Sequence, residues 1–221
     1  MSCTTQETEQ VITLKGSTDI VTEFFFFSIN SILYQRGIYP AESFSKQQKY
    51  GLTMMTTEDM GLKAYLDNVI KQMHGKWPSK LCRWMLRDEV QRLVLVISGV
   101  ESGEALERWA FHVQGEPAPA PLKEASGNAP APRKSQKDIC NEIQAIIRQI
   151  TASVTFLPLL SEPCAFDLLV YTNKSATVPI QWEESDPRYI ADSSQVKLRS
   201  FSTKVHKVDT LVAFRNQSDA L

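Results

Sequence analysis

The residues of this chain that could do chemistry are scattered. A structural zinc site needs four Cys or His ligands in closely spaced pairs, but His74, His112 and His206 lie far apart. Cys3, Cys82, Cys140 and Cys164 are equally dispersed. No CxxC or HExxH occurs, so the sequence predicts no metal ligand. Four unpaired thiols fit a reduced, intracellular protein better than a disulfide framework. Neither GxGxxG nor GxxxxGK[ST] is present to cradle phosphates, and no GxSxG elbow presents a serine nucleophile. The adjacent acids Glu183 and Glu184 lie in a polar WEESDP turn, where carboxylates are ordinarily solvated. The expectation is a protein without catalytic residues or cofactor, and so not an enzyme.

Lys76, Lys80, Arg83, Arg87 and Arg92 surround Trp77 and Trp84. Basic and aromatic residues together can bind nucleic acid. The whole chain argues otherwise: Lys plus Arg number 24 against 25 Asp plus Glu, a net charge of −1. That balance gives no general attraction to nucleic acid or an anionic bilayer, and a solvated loop with buried tryptophans is the preferred reading. Membrane insertion needs about 20 consecutive apolar residues. The most apolar stretch, Phe24–Phe27, is interrupted by Glu23, Ser28 and Asn30. The first ten residues are polar, so no secretory leader is expected and 1–10 reads as a mobile tail.

An apolar fraction of 43% over 221 residues suits one domain with a buried core. Val11–Leu14 reads as a short strand broken by Gly16. A helix then runs from about Ile20 to Arg36, capped by Ser17, Thr18 or Asp19. Its apolar residues cover most of its circumference, so it should be the central core helix, stopped by Gly37 and Pro40. A second helix, about Asp59–Met73, has one apolar face at helical spacing. Arg92–Ser98 and Leu106–Val113 form a hairpin about the turn at 101–104, with Glu107, Trp109, Phe111 and Val113 on one face. Gly115–Pro132 is a Pro/Ala-rich exposed connector within one domain. Ser135 and Asp138 signal a helix start, and Ile139, Ile143, Ile146, Ile147, Ile150 and Val154 form its stripe, ended at Pro158. Phe166–Tyr171 is a core strand, and Val196–Lys207 with Val208–Phe214 forms a final hairpin. So much strand leaves spare edge, to which a partner peptide can add. Ser200, Ser202, Thr203 and Thr210 are candidate exposed regulatory positions.

Several segments resemble a known family. They are ITLKGSTDIVTEFF (12–25), INSILYQRGIYP (29–40), QKYGLT (48–53), ISGVESGEALERW (97–109), IIRQITASVTFLPLL (146–160), FDLLVYT (166–172), WEES (182–185) and LRSFSTKVHKV (198–208). Collinear over nearly the whole chain, they are similar to the HORMA-domain spindle assembly checkpoint family, mitotic arrest deficient two. The resemblance implies an α+β HORMA fold over 11–214, with three helices packed on a central antiparallel sheet and a C-terminal tail at 215–221. It also implies open and closed arrangements. In the closed one the segment 175–214 wraps a partner peptide like a seat belt, and the peptide adds beside Phe166–Tyr171.

On that basis the expected peptide-binding residues are Phe166, Leu168, Val170, Tyr171, Trp182, Arg199, Phe201 and His206. Arg148 and Gln149 match an Arg-Gln pair that carries an open–closed dimer contact. The implied partners are the checkpoint scaffold mitotic arrest deficient one, the anaphase-promoting-complex activator cell division cycle twenty, and other members of the mitotic checkpoint complex. The place of action would be nucleus, kinetochore and cytoplasm. The alternative within the fold is an adaptor in translesion repair or the meiotic chromosome axis. The segment 74–83 is longer than the family pattern, and the end NQSDAL departs from it.

Overall fold

A computed structural model describes residues 12–74, 85–87, 89–116, 134–173, 176 and 185–216. Helix α1 spans Leu14–Gln35 and starts earlier than the sequence predicts. Thr13 is the N-cap, its side chain accepting from Gly16 N at 3.1 Å. Gly16 and Ser17 are therefore inside the helix, and the strand expected over Val11–Leu14 is replaced at Leu14 by the first turn. The cap outweighs the weak helix propensity of Gly16. Val21, Phe24, Phe25, Phe27, Ile29, Ile32 and Leu33 are buried, as are Ser17, Thr18 and Ser28 on intervening faces. The helix ends as expected at Gly37, which takes φ +64°.

Strands β1 (Phe44–Lys49) and β2 (Leu52–Thr57) form a hairpin that the sequence reading missed. Its two-residue turn, Tyr50–Gly51, has positive φ at both positions, as a type I′ turn requires. β1 reads FSKQQK, nearly all polar, so no apolar alternation marks it. The hairpin is held by α1: Tyr50 donates to Glu23 Oε1 at 2.6 Å, and Asn30 Oδ1 accepts from Thr57 N at 2.9 Å.

Helix α2 covers Met60–His74, with Leu62, Leu66 and Val69 buried. β3 (Val90–Gly99) and β4 (Ala105–Gly115) form the expected hairpin. Helix α3 spans Gln136–Ala152 behind a capping box between Ser135 and Asp138. It stops sooner than predicted: Val154 lies in a 3-10 turn and is 41% exposed, not on the buried stripe. β5 (Cys164–Thr172), β6 (Ser193–Ser202) and β7 (His206–Arg215) follow. The basic–aromatic segment around Trp77 and Trp84, and the Pro/Ala-rich connector after Glu116, lie outside the described residues.

The five-stranded sheet has the order β5-β3-β4-β7-β6, and every neighbouring pair is antiparallel. One face packs on the helices through Leu93, Leu95, Ile97, Trp109, Phe111, Val113, Leu168, Leu198, Phe201, Val208 and Val212. The other carries a small apolar patch of Val94, Val96 and Ala110 with Leu169 and Tyr171 beside it. The C-terminal hairpin therefore completes the sheet on the β4 side, and β5 is the opposite edge.

Candidate functional site

The two edges of the sheet are finished differently. At β6 the helix α3 supplies acceptors to the outward backbone: Gln149 Oε1 takes Arg199 N–H at 2.7 Å, and Glu142 Oε2 takes Ser202 N–H at 3.2 Å. Such capping blunts an edge against further pairing. Along β5, among the described residues, no strand pairs on the outer side. At both ends of β5, odd-numbered residues bond toward β3: Val100 N–H donates to Pro163 O at 2.8 Å, and Asn173 N–H donates to Glu89 O at 2.9 Å. Strand residues alternate in direction. The phase thus sets Phe166, Leu168 and Val170 with their backbone groups toward the open edge, while 167, 169 and 171 bond to β3.

Side chains at this edge differ by face. Phe166, Leu168 and Val170 turn to the helices. Tyr39 and Tyr65 flank Phe166 with ring centroids at 6.2 and 5.9 Å, and Tyr65 is 43% exposed. Tyr171 points to the other face, where Arg92 stacks on its ring at 4.4 Å. An extended segment added here would meet aromatic rings on one side and a mixed cationic and aromatic surface on the other.

The chain leaving β5 at 173 must re-enter the sheet at 193 on the far edge, four strand spacings or roughly 19 Å away. Its described part passes over the non-helical face. Arg188 pairs with Asp167 of β5 at 3.2 Å. Arg108 of β4 donates to Pro187 O at 3.2 Å and to Tyr171 Oη at 3.1 Å, and its guanidinium lies 5.1 Å from the Tyr189 ring. This segment thus borders the free edge.

The structure brings Phe166, Leu168, Val170 and Tyr171 together at one edge. It does not bring Arg199, Phe201 and His206 there; all three belong to the opposite side of the sheet. Phe201 is 1% exposed and meets Phe24 edge-on at 4.9 Å, so it is core. His206 is buried, with Nδ1 2.7 Å from Ser17 Oγ, which in turn lies 2.6 Å from Thr203 Oγ1. These contacts pin the β6–β7 turn to the start of α1. Thr203 and Thr210 are likewise buried, not exposed regulatory positions. Trp182 lies outside the described residues. Tyr39, Tyr65, Arg108, Arg188 and Tyr189 were missed. Periodicity could not find them, because they come from four separate segments that only the fold brings together.

Arg148 and Gln149 define a second surface on α3. Arg148 is exposed and lines a groove of about 310 Å³ with Tyr34, Met54, Ile147 and Thr151. Gln149 is half-buried because it caps β6. Phe156, 44% exposed, and Leu159, 83% exposed, extend apolar surface beyond the helix end. Among the described residues no group of His, Cys, Asp and Glu is placed to hold a metal, and no helix is long and apolar enough to cross a membrane.

A family model described as the HORMA domain matches residues 17–206. The chain is similar to "Mitotic spindle assembly checkpoint protein MAD2A" of Dictyostelium discoideum, at 57% identity covering 94% of this chain and 95% of that one. The Homo sapiens protein of the same name is 52% identical, with 94% of each covered. Among solved structures, a chain of "Crystal Structure of Mitotic Checkpoint Complex" superposes with TM-score 0.77 at 44% identity, covering 91% of this chain and all of that one. Caenorhabditis elegans HTP-2 bound to an HTP-3 closure motif shares the fold, with TM-score 0.70 at 14% identity over 93% of this chain and 88% of that one.

Proposed function

We infer the function of this chain from its family: it belongs to the HORMA-domain proteins, and within them to the mitotic spindle checkpoint MAD2 group. It is a spindle assembly checkpoint adaptor, and its partners are proteins of checkpoint assemblies. The finer reading is our proposal. The chain embraces extended peptide segments of the checkpoint scaffold (mitotic arrest deficient one) and of the anaphase-promoting-complex activator (cell division cycle twenty). By holding the activator it delays anaphase. The observation that carries this reading is the asymmetry of the sheet, capped by α3 at β6 and open at β5 beside the crossing segment 185–192. Backbone pairing at an open edge gives affinity, and pockets on alternating sides give selectivity.

Phe166, Leu168, Val170 and Tyr171 form the wall in this proposal. The C-terminal hairpin on the β4 edge is the arrangement a closed embrace requires, and an open form would release it. Two packings of one sequence must then lie within a few kcal/mol. Arg148, with Gln149 beside it, is the proposed contact between open and closed copies. The domain is taken as 11–214, with the belt at 175–214, acting without catalysis at kinetochores, in the nucleus and in the cytoplasm. Capture from mitotically arrested cells, with partners identified, tests the proposal. The scaffold and the activator are the expected partners. Recovery of a translesion polymerase or a chromosome-axis protein in their place would overturn it.

A further inference from the structure

Arg108 stands mid-strand in β4 on the non-helical face and is only 6% exposed. Among the described residues it has no carboxylate partner. A buried cation must find compensation in hydrogen bonds or aromatic faces. Its compensation is split between two bodies. On β5 the Tyr171 hydroxyl accepts at 3.1 Å and the ring lies 6.0 Å away. On the crossing segment Pro187 O accepts at 3.2 Å and the Tyr189 ring lies 5.1 Å away. Val94, Val96 and Ala110 fill the surface around it.

The segment's other charged tether is Arg188–Asp167, and those side chains are 41% and 49% exposed. Exposed pairs of that kind contribute little. The buried guanidinium is therefore the stronger fastening. We propose that Arg108 is the positioning residue that fastens the crossing segment over the sheet beside the β5 edge, and so sets how long an added strand is retained. This rests on the peptide-edge reading above. Lysine is a poor substitute: a point ammonium cannot lie flat between two rings while directing separate N–H groups at a carbonyl and a hydroxyl.

The test has two arms. Hydrogen exchange on the free protein compares wild type with Arg108→Met, Arg108→Lys and Tyr189→Ala. Amides at 185–192 should exchange about tenfold faster in Arg108→Met, while the β3–β4 ladder is unchanged. Tyr189 is 70% exposed, so Tyr189→Ala leaves the fold intact and should move the same amides in the same direction. The second arm follows release of a labelled synthetic peptide copied from the anaphase activator. Arg108→Met and Tyr189→Ala should release it about tenfold faster with association within twofold of wild type, Arg108→Lys should fall between, and the double variant should add nothing to Arg108→Met. Unchanged exchange and release in folded Arg108→Met and Tyr189→Ala would overturn the proposal. If the peptide fails to protect β5 amides in wild type, the edge reading falls, and the exchange arm alone then decides the fastening.

Discussion

Arg36 and Glu107 form a buried ion pair at 2.5 Å, with side chains 4% and 1% exposed. Arg36 also donates to Pro158 O, and Glu107 accepts from Trp109 Nε1 at 3.2 Å. One pair thereby joins the end of α1, the loop after α3, and β4. Burial holds the Glu107 carboxyl above its ordinary range, with Arg36 opposing. Removing one partner strands the other charge, so Arg36→Met should cost about 3–5 kcal/mol in denaturant melts, and Arg36→Met with Glu107→Leu should recover most of it. His112 gives a pH test. Burial first, then neighbouring Arg92, lowers its pKa. A lowered histidine contributes stability that is fully present above the unfolded value of about 6.5 and is lost as pH falls from there through the folded value. Melts of wild type and His112→Gln should therefore diverge as pH drops below about 6.5, with wild type losing more stability.

At the scale of elements, the free edge of β5 makes a paired prediction. Proline removes a backbone N–H. At Val170 that N–H faces outward; at Leu169 it bonds to β3. Val170→Pro should abolish peptide binding at a smaller loss of stability than Leu169→Pro, which should lose several kcal/mol. Affinity and melts measured together separate the two. The elements themselves were largely legible. The isoleucine stripe of α3, the all-round apolar character of α1 and the β3–β4 alternation gave type and approximate place. The β1–β2 hairpin was not legible, because its stability comes from Glu23 and Asn30 on another element. Half of the candidate site was legible as a strand. Phe201 and His206 were misplaced, since an aromatic and a histidine in a terminal hairpin look the same in sequence whether they face a ligand or the core.

For the whole molecule, the hairpin β6–β7 closes the sheet, so its loss should reach the opposite edge through the segment that links them. Deleting about the last ten residues removes the final turn-distal part of β7 from Val212 to Arg215, including buried Val212 and Ala213. At roughly 25 cal/mol per Å² of apolar area, that loss is comparable with the few kcal/mol that the proposed switch allows between two packings. The truncated protein should fold otherwise and fail to bind peptide by fluorescence anisotropy. Arg148→Glu acts on the other surface. It should give monomers in sedimentation that still bind peptide, because Arg148 is exposed and remote from β5.

The pairing of β4 with β7 joins positions about a hundred residues apart, with Glu107 opposite Phe214. Closing so long a loop is entropically costly and slow. During synthesis, β4 emerges long before its neighbour exists, and the helices, β3, β4 and β5 can assemble while β7 is still unmade. The sheet described above is therefore a late product of folding. The longest-range pairing in the sheet is thus also the last that can form, and under the peptide-embrace proposal the wait for it, more than the depth of the final well, sets how soon a new chain becomes competent.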